Sequence, residues 1–355
     1  MGDILSLSLP EADLQAGAYG GEGSNKVNWQ NKRVLITGAE GFMGSHLTER
    51  LVELGAKVTA FVRGTSHCGT TEYQLKNIDP IKGNLEELIA GDIACSDIIS
   101  LIKKQKPEVI YHLAAIAYVP YSFDHPREVF RVNVEGTLNV LDACMEIPNL
   151  ERVVITSSSE VYGPAVRDSI DEDHPLNPTS PYAASKAAAD RYAHAYSTTY
   201  HLPVAIIRPF NYYGPRHLYD VIPKFIKQVL SGNPPTVYGN GSQSRDFVYV
   251  DDMVEAFLIM GSHPESIGNT VNFGTNEHTT IKALAEKIIE LCGAKEMKPL
   301  FVEKRMAEVA RLQCNFEKAR KLFDWTPKIS LEEGLRRNIG WIRENWFAEM
   351  PTSHL

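Results

Sequence analysis

From residue 33 onward, short apolar runs alternate with longer segments in which apolar residues return every three or four positions. RVLITG (33–38) is a β-branched run ending in glycine, and GSHLTERLVELG (44–55) has helical spacing and a glycine stop. KVTAFVR (57–63) reads as a second strand. After a polar stretch and LEELIAGDI come the amphipathic DIISLIKKQ, the strand EVIYHLAA (108–115) and a helix over 128–146. RVVITSS (152–158) is another buried strand, 180–201 a long helix and PVAIIRPF (203–210) a further strand. Strands alternating with helices predict right-handed βαβ units. The fold class is therefore α/β, a Rossmann-like doubly wound parallel sheet covered on both faces.

After about 209 the rhythm breaks. NYYGPRH is rich in turn residues, VIPKFIKQVLSG is a short helix, and TVYGNGSQSRDFVYVDD contains a hairpin. TIKALAEKIIELCG and LEEGLRRNIGWIRENW are helical. The predicted domains are a flexible extension (1–30), a nucleotide-binding domain (31–208 plus about 236–275) and a smaller mixed α/β substrate lobe (about 209–235 and 276–350). The lobe should cover the C-terminal edge of the sheet, where open α/β folds bind ligands.

Composition narrows the function. The chain has 355 residues, 43% of them hydrophobic, and a net charge of −8, which argues against a nucleic-acid partner. Cys68, Cys95, Cys144, Cys292 and Cys314 are scattered and form no CxxC pair, so neither a disulfide framework nor a metal site is expected. No apolar run reaches membrane-spanning length, and the N-terminus lacks the basic start and apolar stretch of a signal peptide. A cytoplasmic protein without membrane partners is the expectation.

GAEGFMG sets Gly38, Gly41 and Gly44 between a strand and a helix. That context is the one a dinucleotide's pyrophosphate requires: a tight turn, close backbone approach, and a helix N-terminus offering N–H groups. At the end of the second strand Val62 stands where an acid would hold a ribose 2′-OH, and Arg63 follows it. Arg63 therefore favours NADP, with NAD the alternative. In PYAASK, Tyr182 and Lys186 are four apart on one helical face, with Ser180 as cap and Pro181 in the first turn. A nearby ammonium and an oxidised nicotinamide would lower the phenol's pKa, making Tyr182 a base toward a substrate hydroxyl. His112, His217 and His278 have no partner pattern and are read as structural or solvent-facing.

Together the phosphate loop, HLAA (112–115), Asn133, the cluster SSSEVYG (157–163), Tyr182–Lys186 and RPFNYYGPR (208–216) resemble the extended short-chain dehydrogenase/reductases. The resemblance covers residues 32 to about 345. It implies a cofactor site that includes Phe42, Met43, Asp92, Ile93, Leu113, Ala114, Ala115 and Pro209 as well as the glycines, Tyr182 and Lys186. It implies a nucleoside diphosphate sugar as substrate. A homodimer joined through the helices at 128–146 and 181–200 is also implied.

Within that resemblance, Ser158 is the triad hydroxyl beside Tyr182. The trio Ser158, Ser159, Glu160 is similar to that of GDP-mannose 4,6-dehydratases, and other segments resemble N-acetylglucosamine-nucleotide dehydratases. Glu160 would then remove the sugar C5 proton, with Ser159 assisting departure of the C6 hydroxyl. UDP-glucuronate decarboxylases carry a similar trio, so they and the 4-epimerases stand as alternatives. An NAD(P)-sensing binding protein is the non-enzymatic one. Two phosphate charges call for cations, and Arg216, Lys224, Arg245 and Arg311 are the candidates, while the resemblance implies Asn211 at the glycosyl phosphate or sugar and Tyr121 and Ser122 facing the hexose.

Overall fold

The computed structural model describes residues 28–63, 75–304 and 309–345. Most of the expected extension lies outside these. Trp29, inside its expected boundary, is buried against the Tyr111 ring with centroids 6.4 Å apart. Cys68 also lies outside the described residues.

The chain as far as Pro209 forms β1 (Arg33–Thr37), β2 (Lys57–Arg63), β3 (Glu87–Gly91), β4 (Val109–His112), β5 (Arg152–Thr156) and β6 (Val204–Pro209). Shorter strands follow: β7 (Asn211–Tyr213), β8 (Thr236–Tyr238), β9 (Ser244–Arg245), β10 (Phe247–Tyr249), β11 (Thr270–Phe273), β12 (Thr279–Thr280) and β13 (Leu300–Val302). Seven of them make one sheet in the order β11-β6-β5-β4-β1-β2-β3, every pair parallel. The strand order reverses between β1 and β4, the switch point at which such sheets bind ligands.

Side-chain alternation sorts the core. Val34 and Ile36 of β1, with Val109 and Tyr111 of β4, face the helices Phe42–Glu53 and Val250–Ser262. Leu35 and Ile110 face the helices Asp97–Gln105, Gly136–Met145 and Pro181–Tyr200. With helices on both faces, β5 and β6 are buried along their whole length. Their apolar runs VVI and VAII follow from this.

The helix predicted over 128–146 runs from Pro126 to Met145 and carries a π-helical turn at Arg131–Glu135. That turn holds Asn133, which accepts the Ile116 N–H at 2.7 Å and donates to Ser185 Oγ at 2.9 Å. One amide thereby ties the loop after β4 to the helix of Tyr182 and Lys186. Such turns recur at functional sites.

The smaller lobe departs from expectation. The segment 236–252 does not fold back on itself as a hairpin: β8 pairs in parallel with β13, β9 antiparallel with β12, and β10 in parallel with β7. Each strand finds its partner far along the chain, so the local turn signals were misleading. Of the stretch from about 236 to 275 assigned to the larger domain, the helix Val250–Ser262 and β11 pack with the main sheet, whereas β8 belongs with β13. A separate apolar cluster of Val161, Tyr162, Ile170, Phe210, Val309, Leu312 and Cys314 packs where the loop after β5 meets 309–314. Among the described residues no helix is long and apolar enough to cross a membrane, and no group of His, Cys, Asp and Glu side chains could hold a metal ion.

Candidate active site

The glycine loop is built by exclusion. Gly38 has φ +71°, and a Cβ there would sit 2.8 Å from the Ala114 nitrogen. A Cβ on Gly44 would lie 2.0 Å from the Gly38 carbonyl oxygen. These glycines let the loop close tightly over the end of β4, because a Cβ at either position would strike backbone atoms of the loop or of the segment after β4. Phe42 and Met43 open the following helix and are buried. Leu113, Ala114 and Ala115 follow β4, where the Ala114 N–H donates to Thr37 Oγ1 at 3.2 Å. Pro209 ends β6. Ile93 is buried under Gly136, and Asp92 pairs with Arg131 at 2.8 Å. The residues that could hold a dinucleotide thus lie at the carboxyl ends of β1, β3, β4 and β6, and the side-chain-free glycine loop before the helix suits the close approach of a pyrophosphate.

At the end of β5 the chain turns through Ser159–Tyr162. Ser158 starts that turn: its Oγ accepts the Glu160 N–H at 3.2 Å and shares a hydrogen bond with the Tyr182 phenol. The capping role and the triad contact coexist in one hydroxyl. Ser180 accepts the Ala183 N–H at 3.1 Å and begins the helix that carries Tyr182 and Lys186, both buried. Lys186 donates to the Thr156 carbonyl. Burial lowers its pKa to about 8, while the Asp190 carboxylate pulls the other way.

Burial raises the Tyr182 pKa; the Ser158 bond opposes that, and the charges of Glu160 and Asp220 reinforce it. The Lys186 ammonium is turned to the Thr156 carbonyl. Glu160 is itself raised, by burial first and by Asp220, against the pull of Arg245. A phenol, a serine hydroxyl, a carboxyl group and a guanidinium therefore share one electrostatic neighbourhood. Ser159 is buried beside them in the sequence.

The helix is anchored below the site by a buried ion pair. Arg208 donates to Asp190 through Nε at 2.8 Å and Nη2 at 3.0 Å, and to the Tyr162 hydroxyl at 2.8 Å. Tyr162 in turn donates to Asn272 at 2.7 Å.

The expected substrate residues divide. Arg245 donates to the Val309 carbonyl at 2.8 Å and acts on Glu160. Arg311 bonds Gln313, lies 3.6 Å from Asp168, and leaves its buried Nε without a partner among the described residues. Asn211 Oδ1 is likewise buried and unpartnered. Arg216, by contrast, is held by Glu49 at 2.7 Å on the helix Phe42–Glu53. Lys224 lies over the Tyr238 ring at 5.0 Å. Tyr121 donates to Glu128 at 2.5 Å and stacks on His125. Ser122 is fully buried and donates to the Val119 carbonyl at 2.7 Å.

His112 sits between Thr37 and Thr137 at 2.8 and 3.0 Å, with its pKa lowered to about 3 by burial and then by Lys186, so it is a neutral structural group. His278 is exposed. His217 lies flat on Phe42, with ring centroids 4.5 Å apart, and its Nε2 is 3.1 Å from Asp220. Sequence reasoning missed Asp220. It has φ 80° and ψ 178°, a conformation essentially reserved for glycine, and its charge reaches Glu160, Tyr182 and Tyr212.

The chain is similar to known proteins along most of its length. The family model described as GDP-mannose 4,6 dehydratase matches residues 35–338. A UDP-glucose 4-epimerase of Mycolicibacterium smegmatis is 35% identical over 88% of this chain and 98% of its own. The dTDP-D-glucose 4,6-dehydratase of Mus musculus is 35% identical over 89% of this chain and 90% of its own. The solved structure of UDP-glucuronic acid 4-epimerase from Bacillus cereus, in complex with UDP-glucuronic acid and NAD, superposes with a TM-score of 0.81 at 29% identity, covering 88% of this chain and 99% of that one. The chain belongs to the GDP-mannose 4,6-dehydratase family, within the short-chain dehydrogenase/reductase-type enzymes that dehydrate or epimerise nucleotide sugars.

Proposed function

We propose that the protein is a nucleotide-sugar 4,6-dehydratase, converting a nucleoside diphosphate hexose or N-acetylhexosamine to its 4-keto-6-deoxy form. The observation that carries this reading is Glu160, a carboxyl group within electrostatic reach of Tyr182 and Arg245 whose pKa is raised by burial. A plain 4-epimerase has no step for such a base; a dehydratase must take the C5 proton.

The bound nicotinamide would accept the C4 hydride and return it at C6. The chain's own groups do the rest. Tyr182, joined to Ser158, holds and takes the proton of the 4-hydroxyl. Glu160 removes the C5 proton, made acidic by the neighbouring ketone, while Ser159 assists loss of the C6 hydroxyl as water. Lys186, buried on the same helix face, would hold the nicotinamide ribose. Arg311 Nε and Asn211 Oδ1, buried and unpartnered among the described residues, are suited to the diphosphate and the sugar, and Arg245 adds a cation beside Glu160. Arg63, the group that would favour NADP, is 3.3 Å from Glu128. Pairing of two copies through the helices ending at Met145 and Tyr200 belongs to the same reading, since Phe130, Met145, Tyr192 and Tyr200 leave apolar area exposed on them.

The test is incubation with UDP-N-acetylglucosamine, GDP-mannose and UDP-glucuronate, read by mass spectrometry without added cofactor. Loss of one water supports dehydration. Loss of carbon dioxide, or inversion at unchanged mass, would overturn it. Glu160→Gln should slow water loss by about 10²–10⁴-fold while C4 oxidation persists. Water loss by the native protein should fall as pH drops through a carboxyl pKa above the ordinary 4.5.

A further inference from the structure

The glycine loop contains a carboxylate that the dehydration chemistry does not use. Glu40 is only 8% exposed. Its Oε1 accepts the backbone N–H of Arg63 at 2.8 Å, at the end of β2. Its Oε2 is buried with no hydrogen-bond partner among the described residues. The loop is pinned there from both sides: the Gly38 N–H donates to the Phe61 carbonyl at 2.9 Å, and Asn77 Nδ2 donates to the Glu40 carbonyl at 2.9 Å.

The end of the second strand is where dinucleotide-binding folds place the acid that reads the adenosine ribose. In this sequence Val62 occupies that position, and it is buried. The structure brings a carboxylate to the same place from a different element. A buried carboxylate oxygen without a donor costs free energy unless a ligand supplies one. A ribose 2′-hydroxyl is such a donor; a 2′-phosphate is not, and it would bring further negative charge against the carboxylate.

Resting on the dinucleotide-site reading above, we propose that Glu40 is the cofactor-selecting residue, its free carboxylate oxygen accepting the adenosine ribose hydroxyl and excluding NADP in favour of NAD. Arg63 does not counter this. Its guanidinium lies 3.3 Å from Glu128, so the cation that suggested NADP from sequence is already matched by an anion. Burial also raises the Glu40 carboxyl pKa, opposed by the Arg63 N–H and charge, as befits a group awaiting a further donor.

Calorimetric titration of the full-length protein, stripped of bound nucleotide, with NAD and with NADP tests this. The native protein should bind NAD more tightly, on the order of hundredfold, because like charges brought together out of water cost several kcal/mol. Glu40→Gln keeps an oxygen for the Arg63 N–H but removes the charge. It should weaken NAD about ten- to hundredfold, the worth of one charge-assisted hydrogen bond, and strengthen NADP. A native preference for NADP, or a Glu40→Gln protein with an unchanged NAD to NADP ratio, overturns the assignment while leaving the dinucleotide site intact. Binding of neither nucleotide would overturn that underlying reading as well. Should Glu40→Gln fail to fold, the native protein's own preference decides: NAD supports the assignment and NADP ends it.

Discussion

Replacing Lys186 by methionine tests the electrostatics of the site through stability. Its ammonium is buried, and its pKa falls from 10.5 to about 8. Between those values the unfolded chain holds the proton and the folded protein does not. The unfolded state therefore binds more protons, and native stability rises with pH through that window. Below pH 8 the folded state carries the whole penalty of keeping the charge buried, about 3 kcal/mol at pH 7. At pH 9.5 roughly 1 kcal/mol of it remains. A methionine of similar length carries no such penalty. It does leave the Thr156 carbonyl without its donor, at a cost of about 1–3 kcal/mol. Lys186→Met should thus be about 0–2 kcal/mol more stable than the native protein at pH 7. That offset depends on how the carbonyl is resatisfied; the change with pH does not. The variant's advantage should shrink by about 2 kcal/mol between pH 7 and pH 9.5. Urea unfolding followed by circular dichroism, with both proteins at both pH values, measures it. A difference that stays constant, or one that grows in the variant's favour at high pH, refutes the argument. Turnover by the variant should be lost throughout.

Three further perturbations follow from packing. Asp190→Ala leaves the Arg208 guanidinium, 2% exposed, without its bidentate partner, and should lower stability by about 3–5 kcal/mol in urea unfolding. Gly44→Ala forces a Cβ within 2.0 Å of the Gly38 carbonyl oxygen and should abolish nucleotide binding in the same calorimetric titration. Gly340→Ala, in the helix Leu331–Asn345 with nothing within 4 Å of its Cβ position, should instead stabilise by about 0.5–1 kcal/mol.

The sheet could be read from sequence because it is buried on both faces. RVVIT and VAIIRP admit little other than a central strand. The strand Glu87–Gly91 escaped because it is the edge of the sheet, half-exposed, and built from Glu, Ala and Gly as well as Leu and Ile. The lobe escaped for another reason. Two- and three-residue strands have no period to detect, and their partners are chosen by distant contacts, so the hairpin predicted within TVYGNGSQSRDFVYVDD did not form. In the site, the Tyr182–Lys186 spacing and the glycines carried their own geometry. Charge pairing did not: Arg216 looked free and is held by Glu49. Asp220 was invisible because nothing in its residue type announces a glycine-like backbone. Glu40 was overlooked because the carboxylate was sought on the strand, while the loop supplies it.

The position of β11 bears on how the protein is made. It is the last strand of the sheet to leave the ribosome, and it covers the outer side of β6, whose residues are buried throughout. Chains grow at about 5–20 residues per second, so the nascent protein presents the uncapped edge of β6 for a time on the order of seconds. An open apolar edge recruits other strands. Synthesis paused or truncated just before Thr270 should therefore yield a sticky fragment that depends on chaperones, whereas chains released after Phe273 would have their own strand to close it.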